Sequence, residues 1–119
     1  MTALEPFVAV DAFGARLPHA AVPAEQVVEG SPTTGLMPLG ELGGARLGLW
    51  EMTAGTMRDI EIDEVFVVLE GEALLVLLAG SEEIARIELR PGVVVRLAAG
   101  STTRWTVGDR LRKLYVAAS

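Results

Sequence analysis

The sequence contains no cysteine and only one histidine, His19. Without cysteine the chain can form neither a disulfide framework nor a thiolate metal site. A tight transition-metal site usually needs three or more nitrogen, oxygen or sulfur donors, which a single imidazole does not supply. Because no carboxylate or nucleophile lies close to His19 in the sequence, we interpret it as a surface residue.

The sequence also lacks a long apolar run and a basic run. Its most apolar stretch, residues 73–79, is far shorter than the roughly 20 residues of a membrane-spanning helix. The first twenty residues have neither the basic start nor the apolar stretch of a signal peptide. The net charge is −6, and the ten Lys and Arg residues are scattered, which argues against a nucleic-acid partner. We therefore predict a cytoplasmic protein with neither membrane nor nucleic-acid partners.

Short strands are the dominant pattern in the 119 residues, which have the size of one domain. The thirteen glycines and six prolines interrupt every candidate helix, so we predict no long helix. Segments rich in β-branched, aromatic or alternating apolar residues lie between the turn formers, at 45–53, 64–70, 72–79, 82–90, 93–99, 102–107 and 112–118. This spacing predicts an all-β sandwich or barrel.

The first 42 residues differ from the rest, because their prolines predict a loop-like arm. Extended pieces are expected at residues 7–10 and 25–30. We divide the chain into an N-terminal arm, residues 1–42, and a barrel, residues 43–119, with the arm packing on the barrel or on a partner subunit.

Alternation along the predicted strands assigns side chains to faces. If Glu64 points inward, Phe66 shares its side. Thr103 and Trp105 likewise share one face of their segment.

Two glycine frames then carry a family resemblance. The sequence resembles the cupins, small jelly-roll barrels whose first motif has two histidines, a glutamate and, after six residues, a glycine. Glu64 and Gly71 match its end, while Arg58 and Ile60 stand at the histidine positions.

The second cupin motif supplies a further histidine. Gly92 and Gly100 match its glycines, Ala98 replaces its proline, and Thr103 stands at the histidine position. Three of the four usual metal ligands are thus missing, and we expect no metal and no other cofactor.

The acidic residues beside Glu64 offer an alternative set of oxygen ligands for a hard cation: Asp59, Glu61 and Asp63. In an extended segment, however, these three side chains point away from the side of Glu64. We therefore expect a solvated or interface-facing acidic edge, which would also discourage edge-to-edge aggregation.

A more specific resemblance is to small cupins related to ureidoglycine aminohydrolase and to the ethanolamine-utilisation cupins. It is carried by Trp50, by Leu-Glu-Gly at 69–71 and by the closing segment 105–116, and it covers residues 43–117. It implies a single-domain cupin jelly-roll barrel with an N-terminal arm. The family and the mean hydropathy of +0.41 also imply a homodimer.

Glu64 has two interpretations. Inside an apolar barrel its pKa would rise, and it could act as a general acid or base. Alternatively it forms a buried ion pair with Arg58 or Arg104, because an unpaired buried charge is costly.

The function favoured by these residues is binding of a small organic ligand in the barrel. We expect Arg58, Glu64 and Thr103 to face a common hollow, and the predicted lining comprises Trp50, Arg58, Phe66, Thr103 and Trp105, with Glu64 as the candidate catalytic residue. The aromatic residues could equally be core. The competing hypotheses are a hydrolase, isomerase or lyase that uses Glu64 as acid or base and Arg58 to hold a carboxylate, and a structural or regulatory module with a filled barrel.

Overall fold

The computed structural model describes residues 4–118, and they form an all-β fold. The strands are β1 (His19–Ala21), β2 (Val27–Glu29), β3 (Thr33–Leu42), β4 (Ala45–Ile60), β5 (Glu64–Ala79), β6 (Glu82–Leu89), β7 (Val94–Leu97) and β8 (Thr102–Ala118). One 3-10 turn at Ala24–Gln26 precedes β2. The predicted all-β class is confirmed. In the described part of the chain, no helix is long and apolar enough to span a bilayer.

Three long strands, β4, β5 and β8, build both halves of the molecule. One part of each strand, residues 45–53 of β4, 64–71 of β5 and 110–118 of β8, forms with β3 and β7 what we call the first leaf. The remaining part of each, residues 55–60, 73–79 and 102–107, forms with β2 and β6 the second leaf. The register shifts in β4 and β5 where one leaf passes into the other. The strand order β1-β3-β4-β8-β5-β6 leaves two ends, so the sheet is an open jelly roll.

Gly71 lies at one of these register shifts, with a φ of 87°. A Cβ at this position would overlap the backbone carbonyl of Arg110 on the neighbouring strand. The prediction that strands end at Gly71, and again at Gly108-Asp109, is wrong, because β5 and β8 run through these positions. Glycine inside a strand here allows a bulge and a close backbone approach rather than a turn.

The main core lies between the two leaves. Met52, Phe66 and Leu111 from the first leaf pack in one cluster with Leu75 and Trp105 from the second. The predicted inward direction of Phe66 and Trp105 is confirmed, since both are almost fully buried. Each leaf therefore covers the apolar inner face of the other.

The N-terminal arm packs on the protein's own sheet. Val10, Ala15 and Leu17 cover Leu49 on the outer face of the first leaf. The expected extended piece at 25–30 contains the 3-10 turn and β2, whereas the one expected at 7–10 is wrong, because no strand forms there. The division at residue 42 falls at the turn of the β3–β4 hairpin.

Candidate functional site

A pocket of about 260 Å³ opens at the end of the first leaf, beside the segment that joins β4 to β5. It combines acidic, basic and aromatic side chains: Asp59, Glu61, Glu64, Arg46, Lys113, Trp50, Trp105 and Tyr115. Leu36, Ile60 and Ile62 complete its lining. The pocket is therefore polar on the side of the β4–β5 connection and aromatic on the sheet side.

Glu64, the first residue of β5, is buried and paired with Lys113 from β8. The Lys113 ammonium donates to Glu64 Oε2 over 2.7 Å. Both side chains are buried, so each compensates the charge that the other brings out of water. Removing either partner would leave the other charge uncompensated.

Three aromatic rings surround the same ammonium, and we call this arrangement the ammonium cage. Lys113 Nζ lies 4.7 Å from the ring centroid of Trp50, 4.4 Å from that of Phe66 and 4.8 Å from that of Trp105. All three distances are within the range of cation–π attraction. The rings also contact one another, with Trp105 tilted against Trp50 and Phe66 at centroid distances of 5.4 and 5.6 Å.

Glu61 is the second buried carboxylate of the pocket. Its Oε2 accepts hydrogen bonds from Thr103 Oγ1 at 2.5 Å and from Trp105 Nε1 at 3.0 Å. The backbone of Glu61 is held in place from both sides, because its N–H donates to Ser101 and its carbonyl accepts from Gly100. Thr103, which the resemblance assigns to a cupin histidine position, therefore positions an acid.

The prediction of a single acidic row facing away from Glu64 is wrong. β4 ends at Ile60, and residues 61–63 are not extended strand, so strict alternation does not continue through them. Asp59 and Glu61 line the pocket together with Glu64. Asp63 alone follows the expectation, because it lies outside the pocket with a partly exposed side chain and accepts hydrogen bonds from Arg96 at 3.3 Å and from the N–H of Ala99 at 3.0 Å.

Two groups at the pocket have shifted acidities. Burial, followed by the nearby charge of Glu61, raises the pKa of the half-buried Asp59 carboxyl above its ordinary 3.8, although the N–H of Ile60 partly opposes this. Burial also raises the pKa of the Tyr115 phenol above 10.0. Asp59 therefore takes up a proton more readily than an ordinary aspartate.

Arg58 lies outside the pocket. It is exposed, and its guanidinium donates to the carbonyl of Gly80 at 3.2 Å. The predicted pairing of Glu64 with Arg58 or Arg104 is wrong, since Lys113 takes that place and Arg104 pairs with Glu83 at 3.0 Å. The prediction that Arg58, Glu64 and Thr103 face a common hollow is therefore wrong for Arg58.

The other predicted residues lie together. Trp50, Glu64 and Trp105 line the pocket, and Phe66 forms part of the ammonium cage. Thr103 does not line the pocket but donates a hydrogen bond to Glu61, which does. It also lines a neighbouring apolar cavity of about 200 Å³. Sequence reasoning missed Lys113, although it is the only lysine in the chain and lies in the motif-bearing segment 105–116.

The position of Glu64 in the pocket and of Thr103 beside it agrees with a sequence comparison. The family model described as an EutQ-like cupin domain matches residues 39–115. The chain belongs to this cupin family. No functionally curated protein has a sequence that matches this cupin.

Solved structures resemble the cupin in fold. The EutQ protein of Clostridium difficile is 20% identical, with a TM-score of 0.61 over 73% of this chain and 68% of its own. A cupin superfamily protein from Desulfitobacterium hafniense is 17% identical, with a TM-score of 0.57 over 71% and 76% of the two chains. A structure from a study of the DMSP lyases RdDddP and RnDddQII is 17% identical, with a TM-score of 0.59, and the match spans 72% of this chain but 47% of that one. At these identities the likeness shows the fold alone.

The side chains of this cupin do not fit the metal that the family motifs imply. Of the four motif positions, Arg58 and Ile60 are exposed, and Thr103 donates its hydroxyl to Glu61. Glu64, the remaining position, is bonded to an ammonium. Within residues 4–118, no three or more His, Asp or Glu side chains form a group that could hold a metal ion.

Proposed function

We propose that this cupin binds a small polar molecule carrying amino or hydroxyl groups in the pocket beside Glu61 and Glu64. The observation that carries the proposal is the unequal use of the carboxylate oxygens. Oε2 of each glutamate is bonded within the protein, whereas Oε1 of each accepts no hydrogen bond from any described residue. Neither Oε1 atom is fully buried, so both are accessible from the pocket. Two acceptors therefore remain available to a ligand.

The charges of the pocket favour a ligand that donates hydrogen bonds. Three carboxylates line it, against the two cations Lys113 and Arg46. Lys113 is committed to Glu64, and Arg46 is exposed and donates to the carbonyl of Ala118. A ligand carboxylate would meet excess negative charge, while an amine or hydroxyl would meet acceptors.

The size and the remaining walls fit a metabolite rather than a polymer. A pocket of about 260 Å³ is near the lower end for small-molecule sites. Trp50, Tyr115 and Leu36 offer apolar contact opposite the acids. This volume also counts against the hypothesis of a completely filled barrel.

The test is a titration followed by backbone amide NMR with a panel of small amines, amino alcohols and polyols, and a matched panel of small carboxylic acids. We expect at least one donor-rich compound to shift the amides of residues 59–64 and 113–115. Glu61→Gln should weaken that binding at least about tenfold, the effect of losing one charge-assisted hydrogen bond.

Asp63→Asn is the matched control, because Asp63 is a neighbouring, partly exposed acid outside the pocket. It should leave the affinity unchanged. Binding by the carboxylic acids alone, or equal loss in both variants, would contradict the proposal.

A small-molecule enzyme is the second candidate, and the raised pKa of Asp59 favours it. A carboxyl that takes up protons readily, beside Glu61, suits general acid–base catalysis in a hydrolase, isomerase or lyase. Glu64 suits this role less well, because its charge is held by Lys113. Turnover of a ligand found in the titration, lost in Asp59→Asn with binding retained, is the expected result; turnover unchanged in Asp59→Asn would remove Asp59 from the mechanism.

The proposed setting is a cytoplasmic homodimer. Exposed valines on the outer face of the first leaf support self-association: Val65, Val94 and Val116. Light scattering coupled to size exclusion should give twice the monomer mass, and a monomer at high concentration would refute the dimer.

A further inference from the structure

Lys113 differs from every other basic residue of the chain. It is the only lysine, and all the remaining side-chain cations apart from His19 are arginines. It is also one of the two basic side chains that are buried, the other being Arg112, its neighbour in sequence. The only lysine is thus placed where its side chain is almost completely shielded from solvent.

The surroundings of Lys113 are matched to a compact cation. One carboxylate oxygen of Glu64 accepts a hydrogen bond from its ammonium at 2.7 Å, and the rings of Trp50, Phe66 and Trp105 lie 4.4 to 4.8 Å from the nitrogen. An ammonium is a small point charge, whereas a guanidinium is planar and needs a fork of acceptors. The cage offers one acceptor and three π faces, so it favours an ammonium.

We propose that the ammonium cage, completed by Glu64, is a binding site for alkylammonium groups whose resident ligand is the tethered side chain of Lys113. In this cupin the tethered cation takes the place of a metal beside the single retained motif acid. The inference does not depend on whether the pocket also binds a metabolite.

The same arrangement disfavours a divalent ion beside Glu64. Oε2 of Glu64 is already bonded to Lys113, and a second cation near it would be repelled by the ammonium in a poorly solvated site. The mismatch between this site and the family's metal therefore has a physical cause in the chain itself. Truncating Lys113 should expose the cage without rebuilding a metal site.

The first experiment truncates Lys113 and supplies the missing atoms from solution. In Lys113→Ala, n-propylammonium replaces the three methylenes and the ammonium that the substitution removes. We expect propylammonium to raise the melting temperature of the variant saturably, recovering about half or more of the loss, because a ligand that binds only the folded state stabilises it. The wild type, whose cage is occupied, should show at most the smaller response of its open pocket, so the rescue is measured as the excess response of the variant.

Three controls make the result specific. 1-Propanol, the neutral analogue, should not rescue Lys113→Ala, and sodium chloride at the same ionic strength should have no saturable effect. The double variant Lys113→Ala/Glu64→Gln should respond at least about tenfold more weakly, since it lacks the charged acceptor. Equal rescue by propanol, or none by propylammonium, would overturn the proposal.

A second measurement uses the wild type and covers the case in which Lys113→Ala does not fold. Because the chain has one lysine, mass spectrometry after acylation distinguishes Lys113 from the terminal amine without ambiguity. We expect Lys113 to stay unmodified in the native protein and to react once the protein is unfolded in urea. Rapid acylation of Lys113 in the native protein would overturn the proposal that its ammonium is caged.

Metal titration of the wild type completes the test. Calorimetry with Mn²⁺ and with Zn²⁺ should detect no stoichiometric binding that depends on Glu64. Binding that is lost in Glu64→Gln but kept in Asp63→Asn would show that a metal displaces Lys113, and the inference would fail.

Discussion

The two faces of the first leaf carry buried charges at adjacent sequence positions. The carboxylate on one face has all its hydrogen bonds within the protein, whereas those on the other face do not. Across the β4–β8 pairing, Trp50 lies opposite Lys113 and Glu51 lies opposite Arg112. The first pair belongs to the pocket on the inner face, and the second lies beneath the N-terminal arm on the outer face. The comparison separates a charge cluster that fixes the fold from one that leaves acceptors for a ligand.

On the outer face the buried carboxylate is saturated. Glu51 Oε1 accepts from Arg110 at 2.8 Å, and Oε2 accepts from Arg112 at 3.2 Å and lies 3.1 Å from His19 Nε2. Arg112 also donates to the carbonyl of Ala12, which ties the arm to the sheet. No oxygen of Glu51 is free, so we interpret this outer cluster as structural.

The inner face shows the reverse. In Glu61 and in Glu64, one carboxylate oxygen accepts hydrogen bonds from the protein, and the other accepts none from the described residues. Aromatic rings rather than further hydrogen bonds complete the environment of Lys113. Incomplete hydrogen bonding beside a cavity indicates a binding site more directly than burial alone.

The largest expected effect comes from breaking the outer cluster. Glu51→Gln should lower the free energy of unfolding by about 3–5 kcal/mol, because it leaves the buried Arg112 with only the more distant Glu70 carboxylate, 3.9 Å from its Nε, as counter-charge. Urea unfolding followed by tryptophan fluorescence measures this loss. Glu41→Gln, a substitution at an exposed glutamate of β3, serves as the control. A loss below about 1 kcal/mol, the range of a surface pair, would contradict the structural role.

A smaller loss is expected on the inner face. Glu64→Gln should cost about 1–3 kcal/mol, the range for removing a charged hydrogen-bond partner. The three rings still stabilise the Lys113 ammonium, and the adjoining pocket admits water, so the penalty stays below that of Glu51→Gln. The same urea experiment ranks the two variants. A cost equal to that of Glu51→Gln would make the inner cluster as structural as the outer one.

The pH dependence of the free energy of unfolding should next distinguish the outer cluster around Glu51 from the inner one. Burial alone would raise the pKa of Glu51, but the hydrogen bond from His19 and the charges of Arg112 and Arg110 outweigh it and hold the pKa below 4.5. A lowered pKa means that this contribution is complete above 4.5 and is lost as the pH falls through the folded value. The stability gap between wild type and Glu51→Gln should therefore narrow in acid. A gap that is constant down to acid unfolding would be inconsistent with this pairing.

The smallest effect concerns Asp59. Its raised pKa gives the opposite sign: its contribution is complete below 3.8 and is lost as the pH rises through the folded value. Asp59→Asn should thus stabilise the protein at neutral pH, by less than about 1 kcal/mol because solvent screens a half-exposed group. Thermal unfolding as a function of pH, with Asp63→Asn as control, tests this. Destabilisation at neutral pH would show that Asp59 makes a favourable interaction instead.

Local patterns in the sequence were sufficient for much of the fold. Alternation placed Phe66 on the side of Glu64 and Trp105 on the side of Thr103, and the glycine frames at 55–71 and 92–100 pointed to the cupin jelly roll. Gly71 itself was misread, because its role depends on the carbonyl of Arg110 on another strand. A glycine that permits close strand approach looks the same in sequence as one that ends a strand.

The candidate site depends on contacts that local patterns do not contain. Lys113 is 49 residues from Glu64, and the two meet only because β8 pairs with β5. Glu61 faces the pocket because the chain leaves the strand conformation after Ile60. Arg58, assigned to a motif histidine position from spacing alone, points elsewhere because spacing along the chain does not fix the direction of a side chain.

The most direct test of the central claim is a proton–nitrogen NMR spectrum of the lysine ammonium in uniformly ¹⁵N-labelled protein. With one lysine in the chain, the spectrum can contain only one side-chain ammonium signal. We predict a slowly exchanging signal, shifted upfield by the rings of Trp50, Phe66 and Trp105, that disappears in Lys113→Ala. An ammonium that exchanges rapidly with water, with an unshifted signal or none at mildly acidic pH, would contradict the caged cation and the site built around it.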